Sequence, residues 1–167
     1  MLEELTIHDL AVVERLSLST ATGLTVLTGE TGAGKSILLT ALGLALGDRA
    51  DTGSIRPGAE KAEVVLRFSL QDAPSAQDWL HDQSLEAEGE CLLRRIITTD
   101  GRSRAYINGT PVTLQTLQSL AQHLLEIHGQ HAHVLLLKSA EQRRLLDEAA
   151  GNAPLLKQLS ELSLIHI

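Results

Sequence analysis

GETGAGKS, Gly29 to Ser36, fits the pattern GxxxxGK[ST] of a phosphate-binding P-loop, and its reading decides the fold. Gly29, Gly32 and Gly34 let the backbone take conformations that a Cβ blocks. Successive N–H groups, those of Glu30, Thr31 and Ala33 among them, can then turn inward toward an anion. Lys35 sets a point charge against the β- and γ-phosphates, and Ser36 offers its hydroxyl to Mg²⁺. The helix that starts there aims its positive end at the same phosphates.

Such a loop works only between a buried strand and a helix. Leu24 to Thr28, LTVLT, is a short apolar and β-branched run that predicts a central strand. Ile37, Leu38, Leu39, Ala41, Leu42, Leu44, Ala45 and Leu46 predict a helix apolar nearly all round, hence buried, that stops at Gly47.

The 167 residues suit one domain with a real core, built from aliphatic side chains because aromatics are only 2% of the chain. A net charge of −7 excludes a uniformly basic nucleic-acid surface and leaves room for a local basic patch. The single cysteine, Cys91, excludes an internal disulfide and a cysteine metal cluster, and reads as a packed residue. No signal-peptide pattern opens the chain and no apolar run is long enough for a bilayer, so no membrane partner and an intracellular, cytoplasmic location are expected.

Upstream, Met1–Leu10 and Val12–Leu18 alternate enough to form an antiparallel pair leading into the P-loop strand. Downstream, residues 47 to 62, GDRADTGSIRPGAEKA, make a loop long enough to suggest function. Glu63–Leu70 reads as a strand, and Ala76–Leu80 as a short helix with Trp79 as a core anchor. In residues 90 to 108, Asp100-Gly101 between two β-rich runs predicts a hairpin, with a second turn at Asn108-Gly109. By the period of two, Arg102, Arg104 and Tyr106 share one face and Ala105 and Ile107 the other. That basic face is either a contact for a polyanion, nucleotide phosphate or DNA backbone, or an ordinary solvated face.

Leu114, Leu117, Leu120, Ala121 and Leu124 predict an amphipathic helix from about Thr113 to His123, and Leu124–His128 a short parallel-type strand. The histidines beyond, His128, His131 and His133, lack the spacing and the acidic neighbour of a known metal site. Gln130, just past a strand end of a P-loop sheet, faces the crevice where such sheets bind nucleotides. Ser139 to Gln142 resembles a capping box for a helix that runs through Ala150 and stops at Gly151. Within it, Arg143 to Glu148 imitates the strand and acid pair that position Mg²⁺ in many P-loop ATPases. Its helical frame and two arginines argue against that role. A further helix starts at Asn152-Ala153-Pro154, with Leu155, Leu156, Leu159 and Leu162 at heptad-like spacing. The last six residues, LSLIHI, look like translated adapter sequence and the reading frame like a truncated one, so 162–167 are left out of the fold.

Three stretches together resemble the RecN family of DNA repair proteins, relatives of the structural-maintenance-of-chromosomes (SMC) ATPases. They are LTGETGAGKSILLTALGLALGDRAD (27–51), ECLLRRIITTDGRSRAYINGTPV (90–112) and EIHGQHAHVLLL (126–137). Thr40 departs from the family, where an acidic residue is expected, but lies outside the phosphate loop. The resemblance implies an α/β P-loop fold of the ABC/SMC-type ATPase head, N-terminal lobe, with a mixed sheet, an antiparallel hairpin region and the start of a coiled-coil helix. Residues 1–151 would be the half-head and 152–161 the first turns of the coil.

By the same resemblance, Gly29 to Ser36 would hold ATP and Mg²⁺, with Lys35 on the phosphates, and Gln130 would sense Mg²⁺ and the attacking water. Arg94, Arg95, Arg102 and Arg104 would lie in the region associated with DNA or nucleotide contact. The implied partners are a C-terminal half-head of the same protein, DNA, and a second copy through heads or coiled coil, in a bacterial nucleoid-associated setting. Positioning and charge stabilisation dominate phosphoryl transfer, so this half alone is expected to turn over almost nothing. Two alternatives stand beside this reading: a small P-loop kinase of a metabolite, and a non-enzymatic, nucleotide-sensing DNA-docking module.

Overall fold

Alternation of apolar and polar residues builds a sheet before anything else in this chain. In Lys61–Ser69, KAEVVLRFS, Ala62, Val64, Leu66 and Phe68 are buried while the residues between them are not. A period of two puts one set of side chains on each face, so this strand has one dry face. A computed structural model of the protein describes residues 1–28, 34–125, 127 and 139–164. It divides into two units, Met1–Glu126 and Ile127–Ile167.

The first unit holds β1 (Leu2–Leu10), β2 (Val13–Ser19), β3 (Lys61–Ser69), β4 (Glu90–Thr98), β5 (Ser103–Ile107) and β6 (Thr110–Val112). They form one sheet in the order β2-β1-β3-β4-β5-β6, and every neighbouring pair is antiparallel. Register carries the apolar set straight across the inner face, in a row of Leu18, Leu5, Leu66, Leu93 and Ile107. Helices α1 (Lys35–Leu46), α2 (Pro74–Asp82) and α3 (Leu114–Leu124) contribute Leu44, Ala45, Leu80, Leu117 and Leu120 to the same core. Each fully buried leucine of that cluster is worth about 1.5–3 kcal/mol over an exposed one.

The turns follow their residues. Asn108 and Gly109 both have positive φ, 49° and 82°, the geometry of a type I′ hairpin turn. This turn adds β6, a strand too short to be legible in the sequence, with Pro111 on the sheet edge where its missing N–H is harmless. Asn108 also ties three segments together: its Oδ1 accepts from the Leu92 N–H (2.8 Å) and its Nδ2 donates to the Leu85 carbonyl (2.7 Å).

The loop after α1 is fastened to the β1–β2 hairpin. A single 3-10 turn, Thr52–Ser54, is capped by Asp51, and Ile55 bridges Leu10. Arg56 donates its N–H to the Asp9 carbonyl (2.9 Å), and its guanidinium reaches Asp9 (3.6 Å) and Glu14 (3.0 Å).

The structure departs from expectation around the P-loop. Leu24–Thr28 forms no strand: no ladder bonds to it occur among the described residues, and Leu24 and Val26 are 92% and 69% exposed. A strand exists only through a neighbour that takes its N–H and C=O groups, and none of the six strands does so. The parallel part of the expected mixed sheet fell to this run and to 124–128, of which 126 and 128 lie outside the described residues. The helix expected to be buried all round is buried only along Ala41, Gly43, Leu44 and Ala45, and Leu39 stays 54% exposed. Trp79 is half-buried at the edge of the core and not its anchor.

Among the described residues, the second unit holds α4 (Ser139–Ala149) and α5 (Ala153–Leu164). Gly151, with φ 67°, makes the turn, and Asn152 closes it by donating through N–H (2.9 Å) and Nδ2 (3.0 Å) to Asp147. Arg143 to Glu148 are helical, so the sequence that imitates an ATPase strand is not one. Leu155, Leu156, Leu159 and Leu162 of α5 are exposed.

Candidate nucleotide site and the arginine hairpin

Gly34, Lys35 and Ser36 are the described part of the P-loop; Gly29, Glu30, Thr31, Gly32 and Ala33 lie outside the described residues. Gly34 sits at φ 91°, in the left-handed region that a side chain strains, and its carbonyl accepts the first helical bond, from Leu38 N–H (3.1 Å). The residue type and the conformation therefore agree at the point where loop becomes helix. No side chain caps α1 at Gly34, and no acid stands in its first turn. The first N–H groups of a helix need an acceptor from elsewhere, and the helix dipole favours an anion there. Ser36 is exposed at this end, so the described start of α1 brings together an uncapped helix N-terminus, a lysine and an exposed serine.

The other end of α1 is fixed. Gly47 takes φ 110°, its N–H reaches Leu44 O, and Asp48 N–H reaches Gly43 O (2.8 Å), the paired bonds of a Schellman stop. Thr40, the departure from the family pattern, bonds its hydroxyl back to Ser36 O (2.9 Å). Gln130 and the histidines 128, 131 and 133 lie outside the described residues, and no group of three metal-ligating side chains occurs among the described ones.

The hairpin arginines do not form one patch. Arg94 and Arg104 lie on the outer face of the sheet, opposite Tyr106 and Ile96 respectively, while Arg95 lies on the inner face between Val64 and Ala105. Arg94 donates to Glu63 (2.7 Å) and stands over the Tyr106 ring at 5.4 Å. That bond and charge hold the Glu63 carboxyl below its usual range and raise the Arg94 guanidinium. Arg102 pairs with Asp100 at 3.3 Å. Arg95 is 2% exposed, and burial lowers its pKa. Its guanidinium donates to Ser103 Oγ (2.9 Å), a partner that the sequence pattern did not single out.

Comparison with known proteins now decides the family. The sequence profile of the family described as AAA domain matches residues 4–163. The chain belongs to that family. Within the AAA domain, it is 51% identical over 157 residues to the DNA repair protein RecN of Vibrio cholerae serotype O1, covering 94% of this chain and 28% of that protein. It is 47% identical over 164 residues to RecN of Haemophilus influenzae, covering 96% of this chain and 29% of the relative. The chain thus spans under a third of the length of these curated relatives. Among solved structures it is similar to the Smc head domain with an extended coiled coil from Pyrococcus furiosus, at TM-score 0.68 and 22% identity over 97% of this chain and 46% of that one. That likeness carries the fold, an α/β P-loop ATPase head, and such a fold implies nucleotide binding. No helix among the described residues is long and apolar enough to cross a membrane.

Proposed function

We propose that this AAA domain binds ATP with Mg²⁺ through Gly29 to Ser36, as one half of an SMC-like ATPase head acting in DNA double-strand-break repair and recombination. The observation that carries the reading is the start of α1. A left-handed Gly34, an uncapped helix end without acids, and Lys35 and Ser36 in its first turn make an anion receptor on a helix whose far end is pinned. RecN relatives at 47–51% identity supply the biological context.

In this reading Lys35 neutralises the β/γ-phosphates, Ser36 ligates Mg²⁺, and Gln130 senses the metal and the attacking water. Residues 1–151 are the half-head, 152–161 begin a coiled coil, and hydrolysis awaits a C-terminal half-head carrying the remaining catalytic groups. A second copy would engage through heads or coil. DNA would be met by the arginine hairpin, through Arg102, Arg104 and Arg94, with Arg95 buried on the inner face. The metabolite-kinase alternative has no observation in its favour.

Isothermal calorimetry of the 167-residue chain with MgATP, beside Lys35→Ala, tests the reading. Saturable binding to the wild type and its loss in Lys35→Ala is the expected result. Equal binding by both proteins would overturn the P-loop assignment.

A further inference from the structure

Arg95 is an anomaly of composition in a dry row. On the inner face its cross-strand neighbours are Val64 and Ala105, and the row continues to Ile7 and Val112. It is the one charged residue buried among the described residues, and it has no carboxylate partner there. Among the described residues its Nε is shielded from solvent with no acceptor, and its only bond is the one to the neutral hydroxyl of Ser103. Removing a cation from water in exchange for one neutral acceptor is unfavourable, and an apolar side chain of similar volume is often as stable or more so. Stability therefore does not account for an arginine here.

The charge does have an outlet. Ser103 is exposed at the end of β5, and its sequence neighbours are Arg102 and Arg104. A serine hydroxyl has two acceptor sites and one donor. Accepting from the Arg95 guanidinium occupies an acceptor site and leaves the O–H to donate outward, strengthened by the cation behind it. An exposed, polarised donor with a buried cation behind it is a contact for an oxyanion, although its neighbour Arg104 stands on the opposite face of β5.

The surrounding charge says which oxyanion. Asp72, Asp78, Asp82, Glu86 and Glu88 fall in the connection from β3 to β4 and Glu90 is the first residue of β4, so residues 70–90, with no lysine or arginine, carry a formal charge of −6 against −7 for the whole chain. Glu90 starts β4, whereas Ser103 pairs with Ile97 near its other end, about 23 Å along the strand. A long polyanion is thus repelled from one end of the sheet and admitted at the other, a field that orients DNA and acts little on a small nucleotide.

We infer that Ser103, backed by the buried Arg95, is a DNA-backbone phosphate contact, the hydroxyl donating to a phosphodiester oxygen while Arg95 supplies the charge from beneath the surface. This rests on the DNA reading proposed above and names the atoms that would perform it.

The test is duplex DNA binding by the 167-residue chain, measured by fluorescence anisotropy with a 40-base-pair oligonucleotide over a salt series, beside calorimetry with MgATP. Ser103→Ala is expected to weaken DNA binding about fivefold, the worth of one hydrogen bond, with the salt dependence unchanged, and Ser103→Thr to restore it. Arg95→Met is expected to keep or raise the melting temperature yet lower the salt slope by about one, as removal of a phosphate-neutralising charge does. MgATP affinity should not move in any of the three. DNA binding by the wild type with Ser103→Ala unchanged overturns this inference alone, even where Arg95→Met fails to fold. A loss of MgATP affinity in Ser103→Ala, with DNA binding unaffected, would assign the phosphate to the nucleotide instead and overturns it as well. No DNA binding by a folded wild type removes the DNA reading and this contact together.

Discussion

Gln118 on α3 donates through Nε2 to the carbonyl oxygen of Gly47 at 2.6 Å, so the helix that begins at the P-loop is held at its far end by a side chain 71 residues away. The fit is close: a Cβ on Gly47 would stand 2.4 Å from Gln118 Cγ, and the residue already has φ 110°. Gly47→Ala should therefore destabilise the protein by about 1–3 kcal/mol, from left-handed strain and displacement of the glutamine together. Gln118→Ala should lose about 1 kcal/mol, and the double variant less than the sum, because each change removes the same contact. Urea unfolding of the four proteins measures this, and strict additivity would contradict it.

Asn108 closes the β5–β6 turn with φ 49° while its side chain bonds Leu92 and Leu85. Asn108→Gly relieves the backbone and abandons both bonds, whereas Asn108→Ala abandons the bonds and keeps the strain. Both should be destabilised, Asn108→Ala more, by about 1–3 kcal/mol. A glycine variant as stable as the wild type would show the side-chain bonds to be idle.

Glu63 has its pKa lowered from an ordinary 4.5, first by the hydrogen bond from Arg94 and then by the charges of Arg94, Lys61 and His8, against the opposing effect of burial. A carboxylate depressed in the folded state stabilises it fully above its unfolded pKa and loses that contribution as pH falls through the folded one. Glu63→Gln should thus be less stable than the wild type at pH 7, with the gap closing only below pH 4.5. Urea midpoints at pH 7, 5 and 3.5 read the gap directly; a gap constant down to pH 3.5 would mean that the pair contributes nothing through charge.

Cys91 is fully buried, and burial pushes its thiol up to about 12. The thiolate is the reactive species, so labelling at pH 8 by a disulfide reagent should be at least about a hundredfold slower in the native protein than in urea. Comparable rates would show that β4 opens readily.

Legibility followed how far each signal reaches along the chain. Strands β1 to β5 and the turns at Asp100-Gly101 and Asn108-Gly109 were readable because alternation and such turns are local, and the phosphate-loop pattern could be read because its residues are consecutive. Strand β6 was too short to be legible, and two further things were not. Leu24–Thr28 has every mark of a buried strand, but pairing is a property of neighbours, and no described strand lies beside it. The four arginines look equivalent in the sequence, yet consecutive positions in a strand point to opposite faces. Arg94 thus meets Glu63 and Tyr106 while Arg95 enters the core and finds Ser103. Parity alone could have separated them; the serine partner could come only from register.

The exposed run from Leu24 to Thr28 ends immediately before Gly29, the first residue of the phosphate-loop pattern. A segment of this kind gains its ladder bonds only when another strand lies against it, and that strand would also fix the direction from which the loop departs. Pairing there and nucleotide capture next door are then two ligations of one short peptide, and equilibrium thermodynamics makes their coupling mutual: whatever factor pairing adds to ATP affinity, ATP adds to pairing. Under the proposed function, the nucleotide would then report on that pairing as well.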